Sequence, residues 1–189
     1  FLQDSNYRDE INELAAEHFG ADLLEAALNK SLSNSFKKLI RISSKQLALL
    51  INEYLKRKDI EDIKTIIRGK FVSADEKSTA KSITAAGTLK YSFLMSLVKK
   101  ESVEVVLKNN SIFDFELLKD ALKEFNEKKN LISIENVLDK QYYSSLIQFS
   151  KSLPREGALF RDFLRKEVEI LNILTLLRLK KAKFDKDIV

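Results

Sequence analysis

Residues 59–70 of this chain read Asp-Ile-Glu-Asp-Ile-Lys-Thr-Ile-Ile-Arg-Gly-Lys, and residues 169–180 read Glu-Ile-Leu-Asn-Ile-Leu-Thr-Leu-Leu-Arg-Leu-Lys. The two stretches align without a gap at an offset of 110 positions, and the same offset places Asp75 on Asp185. A pattern that recurs at a fixed interval indicates one structural unit used more than once. The sequence therefore predicts two equivalent helices, one in each half of the chain.

The repeated residues form a polar ridge beside an apolar one. In each copy an acid begins the stretch and Arg and Lys end it, which suits the helix dipole if the acid lies in the first turn. The Asp or Asn, the Thr and the Arg follow at intervals of three, so they lie along one side of the helix. The repeat signature consists of Asp59, Asp62, Thr65, Arg68, Glu169, Asn172, Thr175 and Arg178.

Two interpretations of this ridge remain open. A solvated face would make only surface ion pairs, each worth tenths of a kcal/mol, on the order of measured exposed pairs. A solvated face, however, has no reason to repeat residue by residue, so we expect the ridge to contact neighbouring helices. On that interpretation Arg68→Ala and Arg178→Ala both destabilise the fold.

The composition favours an all-α protein. Among 189 residues there are only 4 Gly and 1 Pro, so helix breakers are few. Apolar residues recur every three or four positions along most of the chain, which is the period of an amphipathic helix. The segment 103–107 is apolar enough for a strand, but its helical neighbours argue for a helix. The predicted helices cover about residues 21–40, 44–57, 59–70, 89–98, 115–125, 133–149 and 159–181.

Several residues mark the predicted helix ends. Ser44 is a candidate N-cap, and Gly69 is either a residue just past a helix end or a point of close packing. Residues 71–88 are predicted to link two helices and to contain one or two helical turns, capped by Ser73 or Asp75. Pro154 and Gly157 mark the last break.

Nothing in these patterns demands a sheet, and repeated helical units packed as a bundle or solenoid are expected. The repeat suggests a first helical unit over residues 1–88 with its signature helix at 59–70. A second unit over residues 89–189 contains the signature helix at 159–181. The N-terminus lacks an initiator Met, so the sequence is interpreted as a fragment of a longer chain.

Four segments resemble one known family. Residues 57–70 resemble the signature segment of the C subunit of archaeal and bacterial V/A-type ATPases, whose eukaryotic relative is the d subunit of the V-ATPase. Residues 84–89, Thr-Ala-Ala-Gly-Thr-Leu, resemble the family's Ile-Pro-Ala-Gly connector, with Ala85 in place of the usual proline. Residues 138–143 resemble its Leu-Asp-x-x-Tyr-Tyr element, and residues 167–180 resemble its second signature helix.

The resemblance implies a mechanical role. Members of this family are built from three related helical units around a pseudo-threefold axis, so this chain is expected to form part of such a funnel. The family's protein sits on the cytoplasmic face of the membrane rotor ring and receives the central-stalk shaft made of the D and F subunits. It transmits torque between ATP hydrolysis or synthesis and H⁺ or Na⁺ transport, and it has no nucleotide site, cofactor or metal.

The residue types argue independently against common catalytic sites. There is no Gly-rich phosphate loop, and with no Cys and His18 alone, transition-metal and triad sites are not expected. No stretch approaches the roughly 18 apolar residues of a membrane span. With a net charge of +5, the alternative function is a helical adaptor or nucleic-acid-binding protein using a basic face. That basic face consists of Lys37, Lys38, Arg41 and Lys45.

Overall fold

The structure of this protein, a computed structural model, describes residues 5–153 and 155–181. Within those ranges the chain is helical and contains no β-strand, which confirms the all-α class. A 3₁₀ turn, Phe115–Leu118, precedes the seventh helix. The α-helices are α1 (Arg8–Leu14), α2 (Gly20–Ile42), α3 (Lys45–Phe71), α4 (Glu76–Lys81), α5 (Tyr91–Val98), α6 (Val103–Lys108), α7 (Lys119–Lys128), α8 (Ile132–Ser152) and α9 (Arg155–Lys181).

Two helix starts follow the capping residues that the sequence indicates. The Ser44 hydroxyl accepts a hydrogen bond from the main-chain N–H of Leu47 at 3.3 Å and begins α3. The Asp75 carboxylate accepts one from the N–H of Ser78 at 2.9 Å and begins α4. Each cap satisfies a main-chain donor that the first helical turn leaves without a partner.

The predicted break near residue 57 is wrong, because α3 runs without interruption from Lys45 to Phe71. Residues 57 and 58 are Arg and Lys, both good helix formers, and both pair with Glu61 one turn on, at 3.2 and 2.7 Å. Gly69 therefore lies inside α3 and acts as a point of close packing. A Cβ at that position would lie 2.5 Å from the Thr79 hydroxyl of α4.

The last helix also begins earlier than predicted. It starts at Arg155, so Gly157 lies within α9 instead of ahead of it, and Pro154 lies outside the described residues. Gly157 allows the end of α8 to approach closely, because a Cβ there would overlap the Ser150 carbonyl. Arg161 donates to that same carbonyl at 2.8 Å.

The chain divides into two compact units, Phe1–Tyr143 and Ser144–Val189. In the first unit α3 packs against α2, α4, α5 and α6 and lies at the centre of the core. The division at residue 88 that the repeat suggests, and the pseudo-threefold funnel, stay predictions. The fully buried apolar side chains of the first unit include Ile63, Ile66, Ile67, Leu94, Leu97, Val106, Leu107, Leu118, Ile134 and Leu138.

Candidate functional site

Two buried carboxylates on α3 distinguish the middle of the first unit. Asp59 is 0% exposed and Asp62 is 1% exposed, and their spacing of three places them on the same side of the helix. Aspartate is almost never fully buried unless its oxygens have partners. The position of these two residues therefore requires a set of hydrogen-bond donors from another segment.

The donors come from the connector, residues 84–89, which crosses α3 between α4 and α5. One Asp62 oxygen accepts from the main-chain N–H of Thr84 at 2.8 Å and from the Thr84 hydroxyl at 3.1 Å. The other accepts from the N–H of Ala85 at 2.9 Å.

Asp59 repeats this arrangement four residues further along the connector. One oxygen accepts from the N–H of Thr88 at 2.8 Å and from its hydroxyl at 2.6 Å, and the other accepts from the N–H of Leu89 at 2.8 Å. Six donors thus satisfy the two carboxylates and fix a segment without regular structure on the surface of a helix. We call Asp59, Asp62 and the connector the aspartate clasp.

Two small residues of the connector make the clasp possible. A Cβ at Gly87 would overlap the Asp59 carboxylate, so only glycine allows this approach. Ala85 has a φ of +46°, in the left-handed region. Its N–H is also a donor to Asp62. A proline, which the family connector usually carries here, has no N–H and cannot adopt that φ.

Burial dominates the acid–base properties of the clasp. Desolvation raises the pKa of Asp59 above its ordinary value of 3.8, although the hydrogen bonds from Thr88 and Leu89 oppose the shift. Desolvation also raises the pKa of Asp62, against the hydrogen bonds from Thr84 and Ala85, and the neighbouring charge of Asp59 adds to the increase. Both shifts follow from the cost of holding a charge away from water.

A second set of polar contacts fixes α8 to α3. The Glu135 carboxylate accepts two hydrogen bonds from the Arg68 guanidinium, at 2.7 and 2.6 Å. Asp139 pairs with Lys64 at 2.6 Å.

The hydroxyl of Tyr142 continues this line of contacts and donates to a main-chain carbonyl of α3, that of Tyr54, at 2.9 Å. Positions 135, 139 and 142 are spaced four and three, so they lie on one face of α8. This face includes two residues of the 138–143 element that the sequence singles out.

The structure places the first copy of the repeat signature in the core or against α8. Asp59 and Asp62 bind the connector and Arg68 binds Glu135, whereas the Thr65 hydroxyl donates to its own helix, at the carbonyl of Glu61. The expectation that the leading acid lies in a first helical turn is wrong, because α3 begins fourteen residues before Asp59. Burial and hydrogen bonds, not the helix dipole, account for that acid.

The second copy lies on α9 in different surroundings. Glu169, Asn172, Thr175 and Arg178 are all exposed. The Thr175 hydroxyl donates to the carbonyl of Leu171 at 2.8 Å, as Thr65 does in the first copy. The local helical geometry is therefore the same in both copies, and the packing is not.

Sequence reasoning identified both partners of the clasp but did not pair them. The signal was available: two acids three apart face a connector whose two threonines lie four apart and flank a glycine. The same holds for α8, since Glu135 and Asp139 match the spacing of Arg68 and Lys64 with opposite charge. An acid and a donor-rich connector within 30 residues are candidates for a side-chain to main-chain clasp.

Comparison with known proteins places these features in a family. The family model described as "ATP synthase (C/AC39) subunit" matches residues 1–189. The chain belongs to this family. Its members are structural subunits of the ATP synthase complex and are not themselves catalytic.

The individual relatives share one name, that of the C subunit of an A-type ATP synthase. The protein from Methanococcoides burtonii is 43% identical over 99% of this chain and 52% of its own length. The one from Methanosarcina acetivorans is 40% identical over 98% and 51%, and the one from Halobacterium salinarum is 32% identical over 96% and 53%. The chain thus spans about half the length of the curated relatives it matches.

No solved structure matches this chain. Within residues 5–153 and 155–181, none of the helices combines the length and the apolar character that crossing a membrane requires.

Proposed function

We propose that this chain is a non-catalytic coupling component of a rotary A-type ATP synthase, linking the shaft formed by the D and F subunits to the membrane rotor ring. In this role it lies at the cytoplasmic face of the membrane and transmits torque for ATP-driven or ATP-producing H⁺ or Na⁺ transport. The observation that carries the proposal is the family match along the whole chain, together with relatives that bear the name of the C subunit.

The aspartate clasp supports a mechanical role because it adds stiffness where helical proteins are usually loose. A connector held only by its ends can move relative to the helices it joins. Here six hydrogen bonds from residues 84–89 reach two buried carboxylates of α3. Hydrogen bonds to charged groups are roughly twice as strong as those between neutral ones, so the connector resists displacement under load.

The contacts between α3 and α8 support the same role. Glu135, Asp139 and Tyr142 bind α3 along about two turns of α8. Around them lies a close-packed apolar interior, and such interiors have low compressibility and transmit strain. A unit built in this way behaves as a rigid body between two partners.

Co-purification with the partners tests the proposal. The chain is mixed with a tagged D–F shaft pair, and separately with the detergent-solubilised rotor ring of the same enzyme. We expect it to be retained by both and to bridge them in one complex when all are present. The Lys37→Glu/Lys38→Glu/Arg41→Glu variant is the control for attraction by net charge. A folded chain that neither the shaft nor the ring retains would contradict the proposal.

A basic adaptor or nucleic-acid-binding function is the second candidate. Lys37, Lys38 and Arg41 lie on α2 and Lys45 begins α3, and all four side chains are exposed. Binding through this face would weaken with salt, with a slope of about −0.9 in log K against log[salt] per phosphate neutralised on duplex DNA. The triple Glu variant separates the two functions, because it abolishes nucleic-acid binding and leaves retention by the shaft and the ring intact.

A further inference from the structure

The region around the turn between α2 and α3 carries positive charge and no negative charge. Residues 26–52 contain no Asp or Glu, although 28 of the 189 residues in the chain are acids. The same stretch contains five basic residues. One of them, Lys30, pairs with Glu13 of α1. The other four are the exposed residues of the basic face, and all four lie within eight positions of the turn.

Exposed aliphatic side chains lie beside these charges. Four of them are spaced four, seven and three positions apart along α2, which places them on one face of the helix. Lys38 precedes the last of the four, Ile42, by one turn, so the basic face borders the apolar one. On α3, Leu47 and Leu49 are exposed as well. The four side chains on α2 are 40–69% exposed: Leu28, Leu32, Leu39 and Ile42.

The turn itself is held by two serine hydroxyls. The Ser43 hydroxyl donates to the Leu39 carbonyl at 2.7 Å at the end of α2, and Ser44 caps α3. Within residues 5–153 and 155–181, no carboxylate forms an ion pair with a side chain of the basic face. A fixed turn thus presents aliphatic groups and uncompensated positive charges side by side. We call residues 28–49 the α2–α3 corner.

We propose that the α2–α3 corner docks on an anionic lipid surface. The Lys and Arg side chains of the basic face bind the phosphate groups of the lipid headgroups. Leu39 and Ile42 insert at the boundary between the headgroups and the acyl chains. Helices whose apolar face is bordered by basic residues lie in this interface. The proposal goes beyond the coupling function and does not depend on it.

The exposed aliphatic groups favour a lipid over a nucleic acid, the other polyanion that suits a basic face. Basic side chains account for most of the affinity for a phosphate backbone, and single strands also stack on aromatic side chains. The α2–α3 corner has one aromatic residue, Phe36, which is half-buried. Its leucines and isoleucine contribute little to either kind of contact. On a lipid surface the same side chains leave water, which is favourable.

Co-sedimentation of the full chain with lipid vesicles tests the proposal. Vesicles of equal parts phosphatidylcholine and phosphatidylglycerol are compared with vesicles of phosphatidylcholine alone. We expect binding to the anionic vesicles only, and we expect added salt to weaken it because salt screens the charges. A basic residue near an anionic surface strengthens binding about fivefold, so Lys38→Gln and Arg41→Gln should each weaken it about fivefold. Lys123→Gln is the matched control and should leave binding unchanged, because Lys123 is exposed but pairs with Asp120.

A tryptophan reporter tests the insertion. The chain contains no Trp, so the fluorescence of one introduced tryptophan can be followed alone. On addition of anionic vesicles, the emission of Ile42→Trp should move to shorter wavelength and that of Ile132→Trp should not. The two isoleucines are 69% and 66% exposed. The contacts between α3 and α8 run in opposite directions along the two helices, so Ile132 lies at the end of α3 away from the corner.

Other outcomes overturn the proposal. Absence of binding to anionic vesicles does so, and an equal loss of binding in Lys123→Gln would mean attraction by net charge alone. Binding of duplex DNA without a vesicle-induced shift in Ile42→Trp would assign the basic face to a nucleic acid. An Ile42→Trp emission that is already shifted without vesicles would mean that protein covers the corner, a second copy if sedimentation shows a dimer.

The rotor ring is a further possible occupant, and the triple Glu variant tests it. If that variant loses retention by the detergent-solubilised ring while the parent chain keeps it, the corner binds the ring and the lipid proposal is overturned, whereas the coupling function is supported. Failure of the parent chain to bind shaft or ring leaves the vesicle result unaffected. The two proposals therefore fail independently.

Discussion

Helices α3 and α9 carry the same twelve-residue pattern and differ in almost everything around it. On α3 the pattern is the centre of a core, with its two acids inside the aspartate clasp and its arginine bound to α8. On α9 the signature residues are exposed. A sequence pattern of this length sets the local helix, including the way its threonine bonds, but its burial depends on which segments fold against it.

The composition of the two copies makes the contrast sharper. The buried copy contains the charged residues Glu61 and Lys64, where the exposed copy has Leu171 and Leu174. A count of apolar residues would thus have placed the wrong helix in the core. The charged copy can lie in the core because its two buried acids accept hydrogen bonds from the connector. Its half-buried charges Glu61 and Lys64 have ion-pair partners within the same unit.

The largest expected difference between the copies comes from their central isoleucines. Ile63→Ala should lower the free energy of unfolding by about 2–5 kcal/mol, because it leaves a cavity in a packed core. Ile173→Ala removes the same atoms from a side chain that is 56% exposed and should cost about 0.5 kcal/mol or less. Urea unfolding followed by circular dichroism measures both. Equal effects would mean that the apolar side of α9 that carries Ile173 is covered in the free chain.

The connector gives the next largest effect and tests how much the clasp contributes to the buried copy. Ala85→Pro should destabilise the chain by about 2–3 kcal/mol, since it removes the N–H that Asp62 accepts and forbids the positive φ. Ala85→Gly should stabilise by about 0.4–1 kcal/mol, because glycine adopts that φ without strain. Thermal unfolding of the two variants and of the parent chain measures both changes in stability. A proline variant as stable as the parent would show that the clasp contributes little.

The sequence predicted the fold class and most helices because apolar periodicity is a local property. It failed at residue 57 and at Gly157, where α3 and α9 continue through residues interpreted as breaks. At residue 57 the helix continues through local pairs of Arg57 and Lys58 with Glu61. The two glycines depend instead on tertiary contacts, Gly157 on the approach of Ser150 and Gly69 on that of Thr79. A glycine that ends a helix and one that allows close packing look the same in sequence.

The clasp could be predicted only in part. The repeat marked Asp59 and Asp62, and the resemblance marked residues 84–89, but each segment was interpreted by itself. Pairing them requires knowing that α4 folds back on α3, which local patterns do not specify. The exposure of Asn172 and Arg178 was beyond prediction for the same reason, because equivalence in sequence does not carry equivalence of neighbours.

Of the two copies, only the buried one should make the free energy of unfolding depend on pH. Asp62→Asn should cost about 1–3 kcal/mol at neutral pH, because an amide NH₂ then faces a main-chain donor. The pKa of Asp62 is raised on folding, so the folded state holds its proton more tightly than the unfolded state. The stabilisation that Asp62 contributes is therefore complete at pH values below its ordinary pKa of 3.8. It is lost as the pH rises through the raised pKa of the folded state.

Urea unfolding of the parent and variant between pH 3.5 and 8 measures this effect. The free-energy difference in favour of the parent should shrink as pH rises. Asp120→Asn controls for the loss of one negative charge, since the Asp120 side chain is 94% exposed. Asn172→Ala extends the comparison to α9 and should be close to neutral at every pH. A difference that grows with pH would mean that hydrogen bonds outweigh burial at Asp62.

The smallest effect separates the two arginines, for which the sequence alone predicts the same loss of stability. Arg68 makes a two-pronged pair with Glu135, but its side chain is 59% exposed. Exposed pairs contribute about 0–1 kcal/mol, so Arg68→Ala should cost at most about 1 kcal/mol. Arg178 is exposed on α9, and Arg178→Ala should change stability by a few tenths of a kcal/mol at most.

A double-mutant cycle with Glu135→Gln isolates the Arg68 pair. A coupling energy near zero would mean that apolar contacts, Lys64 and Tyr142 hold α8 to α3.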